Sequence, residues 1–450
     1  MELTRENYNE TAKELLTFLQ NSPSCFHAVK NVVDMLTAAG FTEVKEEESW
    51  KLEAGGRYFV TRNQSSVIAF KVPGKDFKGF QIIASHSDSP TFKIKENPEM
   101  EAAHCIKLNV EKYGGMILST WLDRPLSVAG RLAVKNGNGI EGRLVNIDRD
   151  LCVIPNVAIH MNREMNKGVE YNPQVDLLPL LADVTFDAHD AQTASENAEE
   201  QPEKVEKPTL TLAALAAEAA GVDAETILGE DLFLYTRQEG KMIGAKGEFV
   251  LSPRLDDLQS AFALTKAFTE STPAEYINLC AVFDNEEVGS GTRQGADSTF
   301  LEDTLQRITE GLQEGHSTYL RWVADSFLIS ADNAHAVHPN HPEKADPANR
   351  PYLNGGIVIK YHGSQKYTTD GISAAKMKDY CERAKVPYQT YANRSDIAGG
   401  STLGNISTAH VSVSSVDIGL PQLAMHSAVE TAGMKDTEYA VRALKEFWGE

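Results

Sequence analysis

The spacing of short apolar segments divides the chain into two kinds of region, and this division constrains the fold most strongly. Before about Phe92 and after about Gly244, strand-like runs alternate with helix-like runs, as in an α/β sheet domain, and the predicted strands include Ile277 to Phe283 and His410 to Asp417. Between these positions, short alternating segments are separated by Gly-rich turns such as 136–139, which is typical of antiparallel β structure. The sequence therefore predicts an α/β domain interrupted by a β-rich insertion.

This pattern predicts three segments along the chain. We expect residues 1–92 and 246–450 to form the two parts of one α/β domain, and residues 93–245 to form the inserted domain. Within the insertion, Asp187 to Lys207 is acidic, rich in Ala and almost free of large apolar residues. We therefore expect a mobile loop there, without a chemical role.

Composition narrows the class of protein. The 450 residues are 42% hydrophobic, enough to bury a large core. No apolar stretch approaches the roughly 20 residues of a membrane span, and the start of the chain lacks the order of a signal peptide. The five cysteines are scattered, without a Cys-x-x-Cys pair, which indicates free thiols. We expect a soluble protein of the reducing cytoplasm.

The charge balance argues against nucleic acid as a partner. With 43 basic and 64 acidic residues, the formal charge is -21, whereas proteins that bind nucleic acids place Lys and Arg against phosphates. We therefore expect no nucleic acid as partner, and the lack of an apolar span leads us to expect no membrane partner. The excess of acid favours solubility, and part of it is also compatible with carboxylates gathered around cations.

In five places, a predicted buried strand or tight turn joins a residue that can bind a metal ion. These places are His86-Ser87-Asp88, Asp256-Asp257, Glu286-Glu287, Asp332 and His426. Ligand sites of open α/β sheets gather at the carboxyl ends of strands, so we expect these residues to converge. Two imidazoles and several carboxylates, with no thiolate, suit two divalent ions of the zinc, cobalt or manganese type. Two such ions about 3.5–4 Å apart can share one carboxylate.

The glutamate pair suggests a division of labour. A strand that ends in two carboxylates can give one to a metal and leave the other to take a proton from water. We expect this segment to be extended, and because neighbouring side chains of an extended segment point opposite ways, only one of Glu286 and Glu287 can readily face a given ion.

Each element also has an ordinary structural interpretation. His86 and Asp88 can form a hydrogen-bonded pair, and Asp256-Asp257 can begin a helix as an N-cap. A Glu-Glu pair is usually solvated, Asp332 can cap a turn, and His426 can be a core histidine. We favour one shared site because all five elements lie at the ends of core segments.

Several segments closely resemble the aspartyl aminopeptidase family of metallopeptidases. In the α/β parts, the likeness is carried by the segments 84–90, 252–258, 284–290, 330–340 and 421–427. In the insertion, it is carried by the segments 113–115, 119–126 and 156–161. The resemblance implies an α/β fold of the zinc-exopeptidase type, with a mixed central sheet flanked by helices and an inserted β-rich dimerisation domain.

The resemblance also assigns roles at the site. It implies that His86, Asp256 and Asp332 serve one ion, and that Asp256, Glu287 and His426 serve the other. Asp256 would be the shared ligand. Glu286 would be the general base, and Asp88 would orient His86 as a partner behind the ligand.

The implied reaction is hydrolysis of the N-terminal peptide bond of peptides, with a preference for Asp or Glu at the first position. Lys366 would supply the cation that an acidic side chain requires, although it could equally be a surface lysine on a strand edge. The chain departs from the family pattern at Ser364 and at 353–355. A broader-specificity aminopeptidase of the same family is therefore the alternative.

The insertion contains a further candidate, His160. The resemblance implies that the inserted domain mediates dimerisation and lends this histidine to a neighbouring active site, where it supports the oxyanion. It also implies a homo-oligomer in which dimers assemble into a dodecamer. Without the resemblance, a histidine satisfied within its own β domain is an equal interpretation.

Two other classes of function compete. A related di-metal amidohydrolase, such as a deacylase or carboxypeptidase, would need a clamp for a substrate carboxylate, and no Arg-rich one is obvious. A catalytically silent assembly protein could keep structural metals. The presence of Glu286 argues against it, since a structural site gains nothing from an unliganded base.

Overall fold

The computed structural model describes residues 3–74, 77–186, 211–400 and 402–449. The expected mobile loop from Asp187 to Lys207 lies outside these residues. The chain separates into two compact units, Met1–Ser89 with Glu239–Glu450, and Pro90–Gln238. No helix within the described ranges combines the length and the apolar content that a membrane crossing requires.

Helices and strands follow one another along the chain. The helices are α1 (Arg5–Gln20), α2 (Cys25–Ala38), α3 (Pro173–Asp176), α4 (Leu212–Ala220), α5 (Leu255–Glu270), α6 (Phe300–Gly311), α7 (His316–Ala324), α8 (Gly371–Ala384), α9 (Leu403–His410) and α10 (Asp436–Trp448). The strands are β1 (Thr42–Glu43), β2 (Arg57–Arg62), β3 (Ser66–Lys71), β4 (Phe80–His86), β5 (Thr91–Ala102), β6 (Cys105–Tyr113), β7 (Leu126–Asn136), β8 (Gly139–Asn146), β9 (Leu180–Asp183), β10 (Ile227–Thr236), β11 (Lys241–Ile243), β12 (Phe249–Ser252), β13 (Ile277–Phe283), β14 (Phe327–Ala331), β15 (Ala334–His335), β16 (Ile357–Tyr361), β17 (Tyr388–Ala392), β18 (Ser414–Gly419), β19 (Pro421–Leu423) and β20 (Glu430–Gly433).

The first unit is built on a mixed nine-stranded sheet. Its strand order is β1-β2-β3-β13-β4-β14-β18-β16-β17. The four central strands β13, β4, β14 and β18 run parallel, while β3 and β16 pair with them antiparallel. Every residue of β4, β13 and β14 is buried, which explains why these strands read as continuous apolar runs.

Helices cover both faces of this sheet. On one face, α1, α2, α5, α8 and α10 pack into one hydrophobic cluster with residues such as Leu15, Leu264 and Phe447. On the other face, α6 and α7 pack into a second cluster with residues such as Phe300 and Trp322. Burial of each such side chain stabilises the fold by about 1.5–3 kcal/mol, so the central strands lie in a rigid frame.

A second, five-stranded sheet of the same unit has the order β11-β12-β20-β19-β15. Its strands are short, from 2 to 4 residues. β15 follows shortly after the end of β14, and β19 follows β18 after Leu420. This small sheet therefore contains the residues that follow the carboxyl ends of the central strands β14 and β18.

The second unit contains an antiparallel six-stranded sheet with the order β8-β7-β10-β5-β6-β9. A two-residue hairpin turn joins β7 to β8, where Asn136 pairs with Gly139. Gly137 has a φ of +59° in this turn, a conformation that glycine adopts without a steric penalty. The antiparallel β structure predicted for the insertion is confirmed.

Most predicted elements of the α/β part are confirmed, and two are wrong in detail. β13 has the predicted bounds Ile277 to Phe283. The predicted strand from His410 to Asp417 begins too early, because His410 ends helix α9 and β18 starts at Ser414. The predicted extended conformation of Glu286 and Glu287 is also wrong, since both lie in a 3₁₀ turn.

Candidate metal centre

The candidate residues follow strands that are neighbours in the sheet. β4 lies between β13 and β14 and runs parallel to both. In register, Phe283 is opposite His86, and Ser330 is opposite Ala84, so the three strands end at nearly the same level. Residues that come next in the chain therefore emerge at one edge of the sheet.

At this edge, three overlapping groups of side chains have ligand atoms within 4.8 Å of one another. They are His86 with Asp256 and Asp332, His86 with Glu286 and Glu287, and Asp256 with Glu287 and His426. All six candidate metal and base residues from the sequence belong to at least one group. The tertiary fold thus brings together side chains up to 340 positions apart in the sequence.

Asp256 occupies the middle of this cluster. Its carboxylate is buried, with Oδ1 3.7 Å from His86 Nε2 and Oδ2 3.2 Å from His426 Nε2. His426 Nε2 in turn lies 3.4 Å from Glu287 Oε1. Each oxygen of the Asp256 carboxylate therefore faces a different imidazole.

The adjoining Asp257 anchors the end of β4. Its Oδ2 accepts hydrogen bonds from Ser85 Oγ at 2.7 Å and from the backbone N–H of His86 at 3.4 Å. Residues 256 and 257 are joined by a cis peptide bond and have non-helical dihedral angles inside the span of α5. The bonds to β4 couple the start of α5 to the strand that carries His86.

Asp88 organises both His86 and the glutamate turn. His86 Nδ1 lies 3.1 Å from the backbone oxygen of Asp88 and 3.4 Å from its carboxylate. The two carboxylate oxygens of Asp88 accept the backbone N–H groups of Glu286 and Glu287, each at 3.1 Å. Asp88 therefore contacts more of the site than the resemblance implied.

The turn of Glu286 and Glu287 changes which atoms can meet. It begins after Asn285, which has a left-handed φ of +60°. Because the backbone turns here, ligand atoms of both glutamates come within 4.8 Å of one another and of a ring nitrogen of His86. The expectation that only one of the two faces a given ion rested on an extended segment; that premise is wrong, and the division of roles between Glu286 and Glu287 stays a prediction.

Burial sets the proton affinity of the cluster. It raises the pKa of Glu286 to about 8 and that of Asp332 to about 6, and it raises the pKa of Glu287 well above its ordinary value. Asp256 behaves differently: burial opposes its ionisation, but the hydrogen bond from His426 and the nearby imidazoles hold its pKa below the usual range. Several of these carboxyls therefore favour a proton over an unpaired charge.

The donor set fits divalent cations. Asp256 Oδ1 and Glu287 Oε1 are buried and have no hydrogen-bond partner among the described residues. Such atoms are costly unless a cation or water satisfies them. Ligand atoms about 2.0–2.2 Å from a tetrahedral zinc ion lie roughly 3.3–3.6 Å apart, and the imidazole to carboxylate distances are close to this spacing.

Two lysines differ in their relation to the cluster. Lys366, the predicted substrate-binding residue, is half-buried, and its ammonium donates to the carbonyl of Gly399 at 2.9 Å. Lys360 is buried in β16, with its ammonium 3.8 Å from Asp332 and its pKa raised, since Asp332 and other acids outweigh burial. The sequence analysis missed Lys360. A lysine inside an apolar strand was the signal that could have found it.

His160 lies in the second unit, in a turn after residue 158, and its side chain is exposed. Three large apolar residues next to it are exposed as well, namely Val157, Ile159 and Met161, with Met161 at 82%. Such a patch is typical of a surface that another chain covers.

Comparison with known proteins gives the chain a family. The family model described as aminopeptidase I zinc metalloprotease (M18) matches residues 18–448. A probable M18 family aminopeptidase 2 of Clostridium novyi (strain NT) is 46% identical over 450 residues, which cover 98% of this chain and 99% of that relative.

Solved structures agree with this match. A chain in the cryo-EM structure of the Ape4 and Nbr1 complex has a TM-score of 0.91 and 36% identity, covering 100% of this chain and 88% of that chain. The structure of the S. cerevisiae mApe1 dodecamer gives a TM-score of 0.81 and 26% identity, covering 98% and 97%. Since the family model spans nearly the whole sequence and whole-length relatives share the fold, this chain belongs to the M18 family of zinc metallo-aminopeptidases.

Proposed function

We propose that the cluster around Asp256 holds two divalent ions, zinc in the first place, and that the enzyme uses them to remove N-terminal Asp or Glu from peptides. The observation that carries this proposal is the position of Asp256, whose two oxygens face His86 and His426 separately. A carboxylate between two sets of ligands is what a shared ligand of two ions requires. His86 and Asp332 would complete one set, and Glu287 and His426 the other.

The protein groups around these ions would have distinct tasks. When bound, the ions would polarise the scissile carbonyl and make water more acidic. Glu286 would take the proton from the attacking water and deliver it to the leaving amine. Asp88 would keep Glu286 and Glu287 in place through their backbone N–H groups.

For the acidic preference, we propose Lys360 as the cation that the substrate carboxylate meets. Lys360 is buried, and its ammonium lies 3.8 Å from Asp332 at the edge of the cluster. A buried substrate carboxylate needs such a partner. Lys366 remains the alternative predicted from the sequence, although its ammonium donates to Gly399.

Aminoacyl chromogenic substrates test this specificity. With zinc, manganese or cobalt added back to chelated protein, kcat/KM should be highest for Asp and Glu substrates. Lys360→Met should lower it for these substrates by about 10-fold or more, the loss of a charge-assisted hydrogen bond, with a smaller change for Leu. Lys366→Met serves as the matched variant. If only Lys366→Met removed the preference, Lys366 would be the pocket cation, and a wild type favouring Leu or Lys would refute acidic specificity.

The raised pKa values predict how metal removal changes the pH dependence of stability. Glu286 titrates near pH 8 in the folded protein and near 4.5 in a free chain, so folding takes up protons between these values. The free energy of unfolding of chelator-treated protein should therefore fall as pH rises from about 5 to 8, by about 1.4 kcal/mol for each pH unit. Thermal unfolding should show a midpoint several degrees lower at pH 8 than at pH 6.

Zinc provides the control for this experiment. Because ions would replace the protons on these carboxylates, zinc-loaded protein should not lose stability over the same range, and zinc should bind more tightly at higher pH. A chelated protein that became more stable towards pH 8 would contradict the proposal.

We also propose that residues 93–245 act as a dimerisation domain and that dimers assemble further, as in the dodecamer of the S. cerevisiae relative. The compact unit Pro90–Gln238 and the exposed apolar side chains beside His160 support this role. None of the five cysteines, all among the described residues, forms a disulfide bond, which is compatible with the proposed cytoplasmic location.

A further inference from the structure

A buried glutamate behind the candidate metal centre contacts the backbone of two proposed ligands. Glu430, in β20, is 2% exposed. Its Oε2 accepts the backbone N–H of Asp256 at 3.0 Å, and its Oε1 accepts the backbone N–H of His426 at 2.7 Å. One carboxylate thus joins the segments of two ligands that lie 170 positions apart in the sequence.

A chain of buried amides extends this link to a third ligand segment. Gln422 donates to Glu430 Oε1 at 3.4 Å, and its own Oε1 accepts a hydrogen bond from Asn333 Nδ2 at 2.8 Å. Asn333, which directly follows Asp332, also donates to the carbonyl of Leu255 at 2.9 Å. Glu430, Gln422 and Asn333 form what we call the ligand bracket.

The backbone at both contacts needs such support. His426 has a left-handed φ of +66°, which a residue with a bulky side chain rarely adopts without compensating contacts. Asp256 has a φ of -83° and a ψ of 111°, outside the helical range although α5 spans it. Its N–H bonds to Glu430 instead, so this carboxylate stabilises two irregular conformations at once.

We infer that Glu430 is a positioning residue that sets the distance between Asp256 and His426 and thereby the affinity of the ion that they share. This inference rests on the proposed ligand set. Partners behind metal ligands orient them, and their loss typically lowers metal affinity by about 10- to 100-fold.

The geometry of the bracket requires two acceptor oxygens at position 430. Both oxygens of Glu430 accept N–H groups, and Gln422 presents a further donor. A glutamine at position 430 would offer one acceptor oxygen and an NH₂ group that must face an N–H. Glu430→Gln should therefore break one of the two backbone bonds while keeping size and burial nearly unchanged.

The test measures zinc binding rather than activity. Metal-free protein is titrated with zinc against a chromophoric chelator, and cobalt-loaded protein is examined by absorption spectroscopy. Wild type should take up two zinc ions. In Glu430→Gln, the weaker site should bind zinc about 10- to 100-fold less tightly, and the cobalt spectrum should change. Gln422→Met, which removes one arm of the bracket, should show a smaller effect in the same direction and is decisive if Glu430→Gln does not fold.

Glu438→Gln is the matched control. Glu438 is also buried, but it bonds to Thr11 and Arg442, away from the ligand segments. The Glu438→Gln substitution should lower the melting temperature without weakening zinc binding. If Glu430→Gln and Gln422→Met left the zinc affinity unchanged, or if Glu438→Gln weakened it equally, the inference would be overturned while the proposed function would stand. A wild type that takes up fewer than two zinc ions would overturn the proposed function and the inference with it.

Discussion

Glu286→Gln should leave two zinc ions bound and lower kcat by about 10²- to 10⁴-fold, the usual contribution of a general base. Glutamine has the same size and can keep the contacts of the 3₁₀ turn, but it cannot take a proton from water. Zinc content should be measured by atomic absorption, and kcat should be measured on an N-terminal Asp or Glu substrate with saturating zinc.

The outcomes of this experiment separate two roles, because ligand atoms of Glu286 and Glu287 both lie near His86. If Glu286→Gln lost a zinc ion, Glu286 would be a ligand. If it kept both zinc ions and still cleaved peptides, the assignment of the base would be wrong. Glu310→Gln, at an exposed glutamate of α6, is the control and should behave as wild type.

His160→Ala should lower kcat by about 10²- to 10³-fold while leaving zinc content unchanged, since removal of one oxyanion donor costs this much. The variant changes the second unit, whereas the proposed ligands lie in the first. His104→Ala, at another exposed histidine of the second unit, is the control and should keep full activity.

A mixing experiment then tests whether His160 acts on a neighbouring chain. When inactive His160→Ala and inactive Glu286→Gln chains are co-expressed, a mixed dimer contains one site with intact Glu286 and a neighbour's intact His160. Activity should therefore reappear at up to about a quarter of wild type in a randomly assorted dimer, measured as kcat per chain. If His160 acts within its own chain, the mixture should stay inactive.

Particular elements explain how far the sequence could predict this fold. The strand Ile277 to Phe283 was predicted residue by residue because a strand buried on both faces needs apolar side chains throughout. The five candidate segments for metal binding could be selected from the sequence because each polar residue follows or adjoins such a core segment. The family expected from the motifs is confirmed by the match over residues 18–448.

Other features depended on contacts that no local pattern encodes. The turn at Glu286 is held by Asp88, about 200 positions earlier, so the local sequence alone indicated an extended segment. Glu430 was missed because the contacts of a single charged residue in a strand are visible only in the tertiary structure, and although the apolar strand around Lys360 was a signal, its neighbour Asp332 was not. In physical terms, a buried charge is tolerated only with partners, and these partners come from distant segments.

The sequence by itself determined the kinds of candidate ligand and their order along the chain, because apolar runs must form buried strands and the residues that follow them must emerge at strand ends. Only the tertiary structure decided which oxygen of Asp256 faces which histidine, and which buried groups support them. These contacts depend on strand register and on hydrogen bonds between segments more than 170 residues apart. A change of a few tenths of an ångström in a donor–acceptor distance is enough to weaken such a hydrogen bond.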